Sequence, residues 1–364
     1  MARKRRRIGM LTAGGDCPGM NAVIRAVAKT AMNRYSMEVI GFEDGYLGLA
    51  KDRWRRLDSF DVSGILTQGG TILGTSNRDD PFRFFERKKK NETPKDVSEQ
   101  CVRLCRRLGL EALVAIGGDG TLHVAEKLWR KGLPIIGVPK TIDNDVCETD
   151  VTFGFHTAVA VAAEAIDRLH STAMSHHRVM IIEVMGRYAG WLALHSGIAG
   201  GGDVLLLPEI PYCFEEVRRV VEERSRRGKR FSIIVASEGA RPLGGEMVVN
   251  RTEPTSADPI RLGGFAQVLQ KQIEEEVGLE ARATILGHLQ RGGPPTAFDR
   301  VLGTRFGAAA ADLAARRRWG RMVALRGDQI VDVAISRAVR KLKLVPVDSP
   351  LIAAARAVGT SFGD

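Results

Sequence analysis

Three aspartates and a glycine turn that lie close together in the sequence could carry out phosphoryl transfer. Asp119 lies inside GGDGT (117–121), and Asp143 and Asp145 follow in TIDND (141–145). Glycines let backbone N–H groups approach a phosphate, a carboxylate in such a turn can hold Mg²⁺, and another can accept a proton from an attacking hydroxyl. A structural interpretation is also open, because Asp119 could cap the following helix and Asp and Asn form ordinary turns.

A second glycine turn, AGGDCPGMN (13–21), lies further upstream. Its Gly14, Gly15 and Gly19 precede a predicted helix whose dipole would favour a bound phosphate, although a plain tight turn would need the same glycines. No GxxxxGK[ST] motif occurs, which argues against a P-loop nucleotide hydrolase. The two turns therefore predict a phosphate donor held by glycine loops of another kind.

A set of cations in the second half of the chain could bind a phosphomonoester, because guanidinium groups match phosphate oxygens. The set comprises Arg178 after SHH, Arg187 in MGR, Arg282 before ATILG, and His288 with Arg291 in GHLQRGG. A surface salt bridge is the simpler interpretation for an average arginine, and His288 could be a core histidine. MGR and GHLQRGG differ from that average because both follow apolar strands at glycine-marked ends.

The elements that would position these residues are buried parallel strands, which appear as short apolar runs followed by glycine turns and helical patterns. The predicted strands lie at 8–15, 111–120, 134–138, 178–186, 203–210 and 231–240. They form two series and predict an α/β fold with two doubly wound sheets, in which ligands bind at the carboxyl ends of the strands. We interpret 83–99 as an exposed loop entering a helix and 241–264 as a surface loop.

The size and composition of the chain fit two α/β domains in the cytoplasm. It has 364 residues, of which 44% are hydrophobic. No apolar run approaches the roughly 18 residues of a membrane span, and the opening MARKRRR is not followed by a signal-peptide core. Five scattered cysteines predict reduced thiols rather than disulfides. Cys101 and Cys105 are one helical turn apart but have no partner pair for zinc.

A formal charge of +11 predicts anionic partners. Nucleic acid is one candidate, but aromatic residues are few and no helix-turn-helix, zinc-finger or RNA-recognition signature accompanies the charge. Much of the excess lies in runs that we expect to be solvated, at 3–7, 87–90, 106–109 and 316–321. Small phosphorylated substrates therefore explain the charge at least as well.

Eight motifs together resemble one enzyme family. In order and at about the right spacing they are GGDCPGMN, GFEDGYLGL, GGTILGTSNR, IGGDGT, PKTIDND, MGRYAG, SEGA and GHLQRGGPPTAFDR. This series is similar to that of the 6-phosphofructokinase family over nearly the whole chain. The resemblance implies two Rossmann-like domains with the active site in the cleft between them. It also implies Mg²⁺-dependent transfer of a phosphoryl group to the 1-hydroxyl of fructose 6-phosphate, a step of glycolysis.

The resemblance further implies domain limits and an assembly. The donor-binding domain would comprise 1–154 and about 290–345, and the fructose 6-phosphate domain about 155–289 and 346–364. The family forms homo-oligomers, and a tetramer is the expected form. In it, the counterparts of Arg178 and Arg282 reach into the site of a neighbouring subunit.

Roles for individual residues follow from the same resemblance. Asp143 falls at the general base, Asp119 at the Mg²⁺-linked aspartate and Asp145 at a second acidic position, while Thr141 and Arg187 match residues near the transferred phosphoryl group. The sugar contacts match Met185, Gly186 and Glu238, and the grip on the 6-phosphate matches Arg178, Arg282, His288 and Arg291. The donor site matches Gly15, Tyr46, Arg78, Gly118, Asp119, Gly120, Thr121 and Lys140. Asn77 stands where one form of the family has arginine, and Arg78 comes one residue later.

The identity of the donor rests on two positions that disagree. Gly120 favours ATP, because the aspartate of pyrophosphate-dependent members would fill the space of a nucleotide α-phosphate. Lys140 is the usual residue of pyrophosphate enzymes, whose ammonium neutralises a compact phosphate. We give Gly120 more weight, which predicts ATP as the donor and keeps pyrophosphate as the alternative. Arg25 matches one effector-site arginine but Lys29 replaces another, so allosteric control stays open.

Two other classes of protein remain as alternatives. A relative of NAD kinase or diacylglycerol kinase would explain GGDGT but not TIDND, MGR or GHLQRGG. A basic nucleic-acid-binding or regulatory protein would explain the charge, but not the presence together of Asp119, Asp143 and Arg187.

Overall fold

The computed structural model describes residues 6–86, 93–252 and 260–364. The chain divides into two compact units. Unit 1 contains the described residues up to 156 together with Arg291–Leu342, and unit 2 contains 157–252, 260–290 and Lys343–Asp364. Each unit is built around its own parallel sheet.

The strands of the described chain are short and mostly buried. In chain order they are β1 Arg7–Thr12, β2 Glu38–Phe42, β3 Trp54–Leu57, β4 Leu110–Gly117, β5 Ile135–Thr141, β6 Phe153–Gly154, β7 Val179–Val184, β8 Val204–Leu206, β9 Ser232–Ser237, β10 Val249–Thr252, β11 Ile260–Leu262, β12 Ala281–Ile285, β13 Arg321–Arg326 and β14 Gln329–Ala334.

The helices alternate with the strands. They are α1 Met20–Tyr35, α2 Tyr46–Lys51, α3 Ser98–Arg107, α4 Asp119–Arg130, α5 Phe155–His176, α6 Trp191–Ala199, α7 Phe214–Arg226, α8 Phe265–Gln272, α9 Ala297–Ala315, α10 Ile335–Ala338 and α11 Pro350–Ala357. A short 3₁₀ helix at Gly287–Arg291 follows β12.

The sheet of unit 1 has the strand order β14-β13-β5-β4-β1-β2-β3, with β6 beside β5. The five central strands are parallel, whereas β3 and β14 pair antiparallel at the edges. The chain passes from β1 to β2 on one side and returns to β4 on the other, so a topological switch point lies between β1 and β4. Crevices at such points bind ligands in doubly wound sheets.

Close packing of α1 against α9 supports the start of α1. A Cβ atom on Gly307 of α9 would lie 2.6 Å from the carbonyl oxygen of Val23. Because only glycine allows this approach, the two helices lie backbone to backbone. The residue before α1, Gly19, has a φ of 100°, which lets the β1 turn enter the helix without strain.

The sheet of unit 2 has the order β12-β7-β9-β8, and all of its pairs are parallel. Its core includes Val179 and Ile181 of β7, Ile234 of β9 and Phe265 of α8. The carboxyl ends of β7, β9 and β12 lie side by side, because these strands run in register over most of their length. The prediction of an α/β fold with two doubly wound sheets is confirmed.

Two sequence interpretations need correction. The span 241–264 is not simply a loop, because β10 and β11 pair antiparallel within it. Of the charge runs expected to be solvated, Arg6 is instead held by Glu111 at 2.8 Å and Arg7 by Glu38 at 2.7 Å. The run at 87–90, the start of the run at 3–7 and residues 253–259 lie outside the described residues.

The thiols agree with the sequence prediction. All five cysteines are free, and Cys101 and Cys105 lie in the apolar core of unit 1. Within the described chain, none of the helices combines the length and apolar character needed to cross a membrane.

Candidate active site

Three loops of unit 1 meet at the carboxyl edge of its sheet. Thr12 at the end of β1 pairs with Ile116 of β4, and Gly117 of β4 pairs with Pro139 of β5. The loops after these strands hold the two glycine turns and the TIDND segment. The first two loops lie on either side of the switch point, as the strand order requires.

Asp119 does not cap the helix that follows it. It is the first residue of α4, and the N-cap residue is Gly118, which makes no side-chain capping bond. The Asp119 carboxylate instead lies 3.3 Å from Nδ1 of His123, and this contact raises the pKa of His123. Sequence reasoning missed His123, although its position four residues after Asp119 in a predicted helix could have indicated the pair.

Thr141 connects the two aspartates of the TIDND loop. Its hydroxyl oxygen accepts a hydrogen bond from the Asp143 N–H at 3.0 Å, and its side chain also bonds the Asp145 carboxylate. The Thr152 hydroxyl donates to the Thr141 carbonyl at 2.7 Å. These bonds hold both ends of the loop, so Asp143 and Asp145 have little freedom to move apart.

The carboxylates of this loop repel one another. Burial, followed by the charges of Asp143 and Asp119, raises the pKa of Asp145 to about 7. Its buried Oδ1 atom accepts no hydrogen bond. Such a cluster is stabilised by a cation, and it therefore fits Mg²⁺ better than it fits a purely structural role.

The cluster is not a complete metal cage. Among the residues that the structure describes, no group of three or more His, Cys, Asp and Glu side chains is arranged to hold a metal ion. Mg²⁺ usually takes only one or two carboxylates and completes its shell with water and substrate phosphates. The few carboxylates of this site match this pattern of Mg²⁺ binding.

Asn144, between the two aspartates, shapes the loop and was not singled out from the sequence. Its φ is 53°, in the left-handed region that Asn tolerates better than most residues. Its Oδ1 accepts from the Thr152 N–H at 3.1 Å, and its Nδ2 donates to the Asp150 carbonyl at 3.5 Å.

We expect Asn144→Gly to lower the free energy of unfolding by about 1–2 kcal/mol, since the buried Thr152 N–H loses its acceptor. Asn144→Ala should cost about 1 kcal/mol more, because alanine also resists the left-handed conformation. Urea denaturation of both variants measures the difference. Equal stability of the glycine and alanine variants would contradict this account of the loop.

The donor-site candidates of unit 1 surround the first turn of α4. Tyr46 is buried, and its hydroxyl donates a hydrogen bond to the Thr121 carbonyl at 2.9 Å. This bond holds the first turn of α4 from the side of the protein core. The Thr121 side chain packs on Gly117, where a Cβ atom would lie 2.3 Å from it. A Cβ atom on Gly120 would meet nothing within 4 Å. Of the three glycines in this turn, Gly120 is therefore the one beside open space.

Three further donor-site candidates belong to neighbouring loops. Lys140 is buried at the end of β5, and its ammonium group donates to the Gly15 carbonyl. Burial lowers the pKa of Lys140. Arg78 is exposed, and its N–H bonds the Ser76 hydroxyl at 3.3 Å. Arg291 also lies in this region, donating to the Asp16 carbonyl at 3.1 Å.

In unit 2, the sugar-site candidates meet at the carboxyl ends of β7 and β9. Gly186 has a φ of 132°, and its carbonyl accepts from the Ser237 hydroxyl. A Cβ atom on Gly239 would lie 1.9 Å from the Arg187 carbonyl oxygen. The Glu238 N–H donates to the Val184 carbonyl at 2.8 Å. Met185, Gly186, Arg187 and Glu238 are thus neighbours.

Two residues, the buried Gln290 and the half-buried Glu209, position this loop and were missed. Gln290 accepts from the Met185 N–H at 3.4 Å and donates to the Gly287 carbonyl at 3.0 Å, which ties the HLQ turn to β7. Glu209 accepts from the Gly190 N–H at 3.0 Å. Neither is recognisable in the sequence, because the bonds that position this loop, from Met185 to Gln290 and from Gly190 to Glu209, join residues far apart in the chain. His288 on the same turn is exposed, so its interpretation as a core histidine is wrong.

Arg178 and Arg282 lie elsewhere in unit 2. Both contact Glu280, Arg178 at 2.8 Å, next to the amino ends of β7 and β12. The six residues of β7 separate them from Met185, a length of about 20 Å. Within one chain, these two arginines therefore cannot join the residues at the carboxyl edge.

The molecule is thus a doubly wound α/β protein whose glycine turns and carboxylates gather at strand ends. A phosphofructokinase family model matches residues 7–314. This chain belongs to the phosphofructokinase family.

The relatives cover the full chain. It is 50% identical over 361 residues to an ATP-dependent 6-phosphofructokinase 2 of Clostridium perfringens, covering 99% of both chains. It is 51% identical to an ATP-dependent 6-phosphofructokinase 2 of Streptomyces coelicolor, covering 94% of this chain and 97% of the relative.

Solved structures agree on the fold. A pyrophosphate-dependent phosphofructokinase from Marinobacter aquaeolei superposes with a TM-score of 0.79, at 22% identity, over 98% of this chain and 88% of its own. A phosphofructokinase from Pichia pastoris gives a TM-score of 0.78 at 30% identity, over 98% of this chain and 37% of its own. At 22% identity, the first likeness carries no information about the donor.

Proposed function

We propose that this protein transfers the terminal phosphoryl group of ATP to the 1-hydroxyl of fructose 6-phosphate, giving fructose 1,6-bisphosphate in glycolysis. The observation that carries the proposal is the cluster of Asp119, Asp143 and Asp145 beside two glycine turns at the switch point. Relatives that are about 50% identical over the full chain bear the name ATP-dependent 6-phosphofructokinase. A Cβ atom on Gly120 would meet nothing within 4 Å, and the proposal places part of the donor in this open space.

Asp143 acts as the general base in this proposal. It accepts the proton of the 1-hydroxyl as that oxygen attacks the terminal phosphorus of ATP, and ADP leaves with the electron pair of the broken P–O bond. Thr141 holds the Asp143 backbone, so the carboxylate does not need to reorganise during the step.

Mg²⁺ would be held by Asp119, with Asp145 close to the same charge. When bound, it neutralises charge on the donor phosphates. The first turn of α4 places Asp119 at a helix N-terminus, beside backbone N–H groups that suit phosphate oxygens. The rest of the proposed donor site comprises Gly15, Gly118, Gly120, Thr121, Tyr46, Arg78 and Lys140.

Unit 2 supplies most of the acceptor-binding residues in this proposal, and Arg291 of unit 1 adds to them. Met185, Gly186 and Glu238 contact the sugar, and Arg187 neutralises charge on the transferred phosphoryl group. The 6-phosphate is gripped by His288 and Arg291 with Arg178 and Arg282 of a neighbouring subunit, in a homo-oligomer that we expect to be a tetramer. Unit 1 is then the donor domain and unit 2 the acceptor domain. Free thiols and charged metabolites favour a cytoplasmic location.

The direct test offers ATP and pyrophosphate in parallel to the purified protein with Mg²⁺ and fructose 6-phosphate, and follows fructose 1,6-bisphosphate. Turnover with ATP alone is the expected result. Turnover with pyrophosphate alone would replace the donor, and no turnover with either would refute the proposal.

The position of Arg178 at the amino end of β7 leads to a second prediction, that it serves the site of a neighbouring subunit. Co-expression of an Asp143→Asn chain with an Arg178→Ala chain should restore about a quarter of wild-type activity, although each variant alone is nearly inactive. With equal amounts of the two chains, half of the sites have an intact Asp143, and half of those receive an intact Arg178 from the neighbouring subunit. Affinity tags that differ between the two chains allow the hybrid to be isolated.

The outcome separates two arrangements. Activity of the isolated hybrid means that Arg178 serves the partner's site. A hybrid no more active than its parents would mean that Arg178 acts within its own chain or not at all. Melting temperatures of the parents exclude a simple loss of folding.

A further inference from the structure

The turn between β1 and α1 has three consecutive carbonyl groups that each accept a hydrogen bond from a side chain. The Gly14 carbonyl accepts from the Thr75 hydroxyl at 2.7 Å. The Gly15 carbonyl accepts from the Lys140 ammonium group, and the Asp16 carbonyl accepts from Nη1 of Arg291 at 3.1 Å. We call Thr75, Lys140 and Arg291 the carbonyl clamp.

The clamp fixes the turn from three separate parts of unit 1. Thr75 belongs to the segment before α3, Lys140 to the end of β5 and Arg291 to the 3₁₀ helix after β12. The Gly14 N–H also donates to the Ser76 carbonyl at 3.0 Å. A Cβ atom on Gly15 would lie 2.4 Å from Nη1 of Arg291, so a side chain there would displace the Arg291 guanidinium group. The three peptides whose carbonyls belong to Gly14, Gly15 and Asp16 are therefore each held in one orientation.

The orientation of the carbonyls determines that of the N–H groups. In a trans peptide, the N–H of one residue points away from the carbonyl of the residue before it, and no cis peptide occurs in the described chain. The N–H groups of Gly15, Asp16 and Cys17 therefore point away from the clamp. Successive N–H groups in a turn with a left-handed residue form an anion-binding nest, and Gly14 has a φ of 83°.

We propose that the carbonyl clamp positions the β1 turn to bind the phosphates of the donor, with Thr75 and Lys140 as positioning residues. This inference rests on the proposed function. It assigns Lys140 a task in an ATP-dependent enzyme: the ammonium group holds the Gly15 carbonyl and acts on the donor through the turn. Thr75, which lies in the GGTILGTSNR motif but was assigned no role there, becomes a determinant of donor affinity.

Binding of Mg·ADP to the full-length enzyme, measured by titration calorimetry, tests the clamp without turnover. Thr75→Val, which keeps the shape but loses the hydroxyl, should weaken ADP binding about tenfold, as expected for one lost hydrogen bond. Thr75→Ser keeps the hydroxyl and should stay within about twofold of wild type. Fructose 6-phosphate affinity should be the same in all three proteins.

A double-mutant cycle with Lys140→Met tests whether the two residues act on one turn. Each single variant should lose about tenfold in ADP affinity, and the double variant should lose clearly less than the hundredfold expected of independent sites. Arg291 is left unchanged because it belongs to the proposed 6-phosphate grip.

Three results would overturn the inference. They are wild-type ADP affinity in Thr75→Val, equal weakening in the valine and serine variants, and fully multiplicative losses in the cycle. Wild-type turnover of ATP and fructose 6-phosphate is measured separately. Its absence, with the valine and serine contrast intact, would refute the proposed function and leave the clamp standing.

Discussion

Asp143→Asn should lower kcat by about a thousandfold, the range in which positioned general bases contribute. Asparagine has the same shape but cannot take the proton of the attacking hydroxyl. The KM values for ATP and fructose 6-phosphate should change little, because the neighbouring bonds of Thr141 to the backbone of the loop remain. Steady-state kinetics over a range of pH measure the effect, and the acidic limb that reports the base should disappear.

The stability of this variant provides an independent check. Asp143 is one of two charges that raise the pKa of Asp145, so its removal should lower that pKa and relieve repulsion in the loop. The variant should therefore be at least as stable as wild type at pH 8. Asp150→Asn, the same change in the same loop, is the matched control and should keep nearly full activity. Normal kcat with a raised KM in Asp143→Asn would assign Asp143 to binding.

Gly120→Asp should lower kcat/KM for ATP at least about a hundredfold, because a carboxylate would occupy the space that a nucleotide phosphate needs and repel its charge. The fold itself should tolerate the change. A Cβ atom at position 120 meets nothing within 4 Å, and glycine is a poor helix former in α4. Pyrophosphate, which has no α-phosphate linked to a nucleoside, should be affected less than ATP.

Two further variants separate volume from charge at this position. Gly120→Ala adds one methyl group and should cost less than about tenfold, whereas Gly120→Asn adds the volume of aspartate without its charge. Donor competition assays with all three variants measure both contributions. If Gly120→Asp kept wild-type use of ATP, position 120 would not decide the donor, and the presence of Lys140 would need another explanation.

The sequence predicted the parallel core and the position of the glycine turns well, for a physical reason. Buried strands such as β1 and β4 appear as apolar runs, and the turns after them need glycine. Edge strands are harder to detect, since β3 is the exposed segment WRRL and β10 and β11 lie in a stretch rich in polar residues. Their pairing depends on the finished sheet rather than on a local pattern.

The candidate site was predictable only in part. Asp119, Asp143 and Asp145 carry their chemistry in their side chains and stand in recognisable motifs. Asn144 and Gln290 act by bonding backbone groups that are separated from them in the sequence, so no local motif marks them. The sequence also grouped Arg178 and Arg282 with the other cations, whereas the strand direction places them at the opposite end of β7.

The position of Arg178 and Arg282 at the opposite end of β7 would make substrate binding depend on association of the subunits. Under the proposed arrangement, an isolated chain would hold a complete set of proton-transfer residues but only part of its grip on the sugar phosphate. Dilution below the dissociation constant of the assembly would then raise the apparent KM for fructose 6-phosphate. The substrate would in turn drive association, because it binds two chains at once. The reaction rate would thus depend on enzyme concentration. This dependence would follow from the shared direction of β7 and β12, whose amino ends carry Arg178 and Arg282.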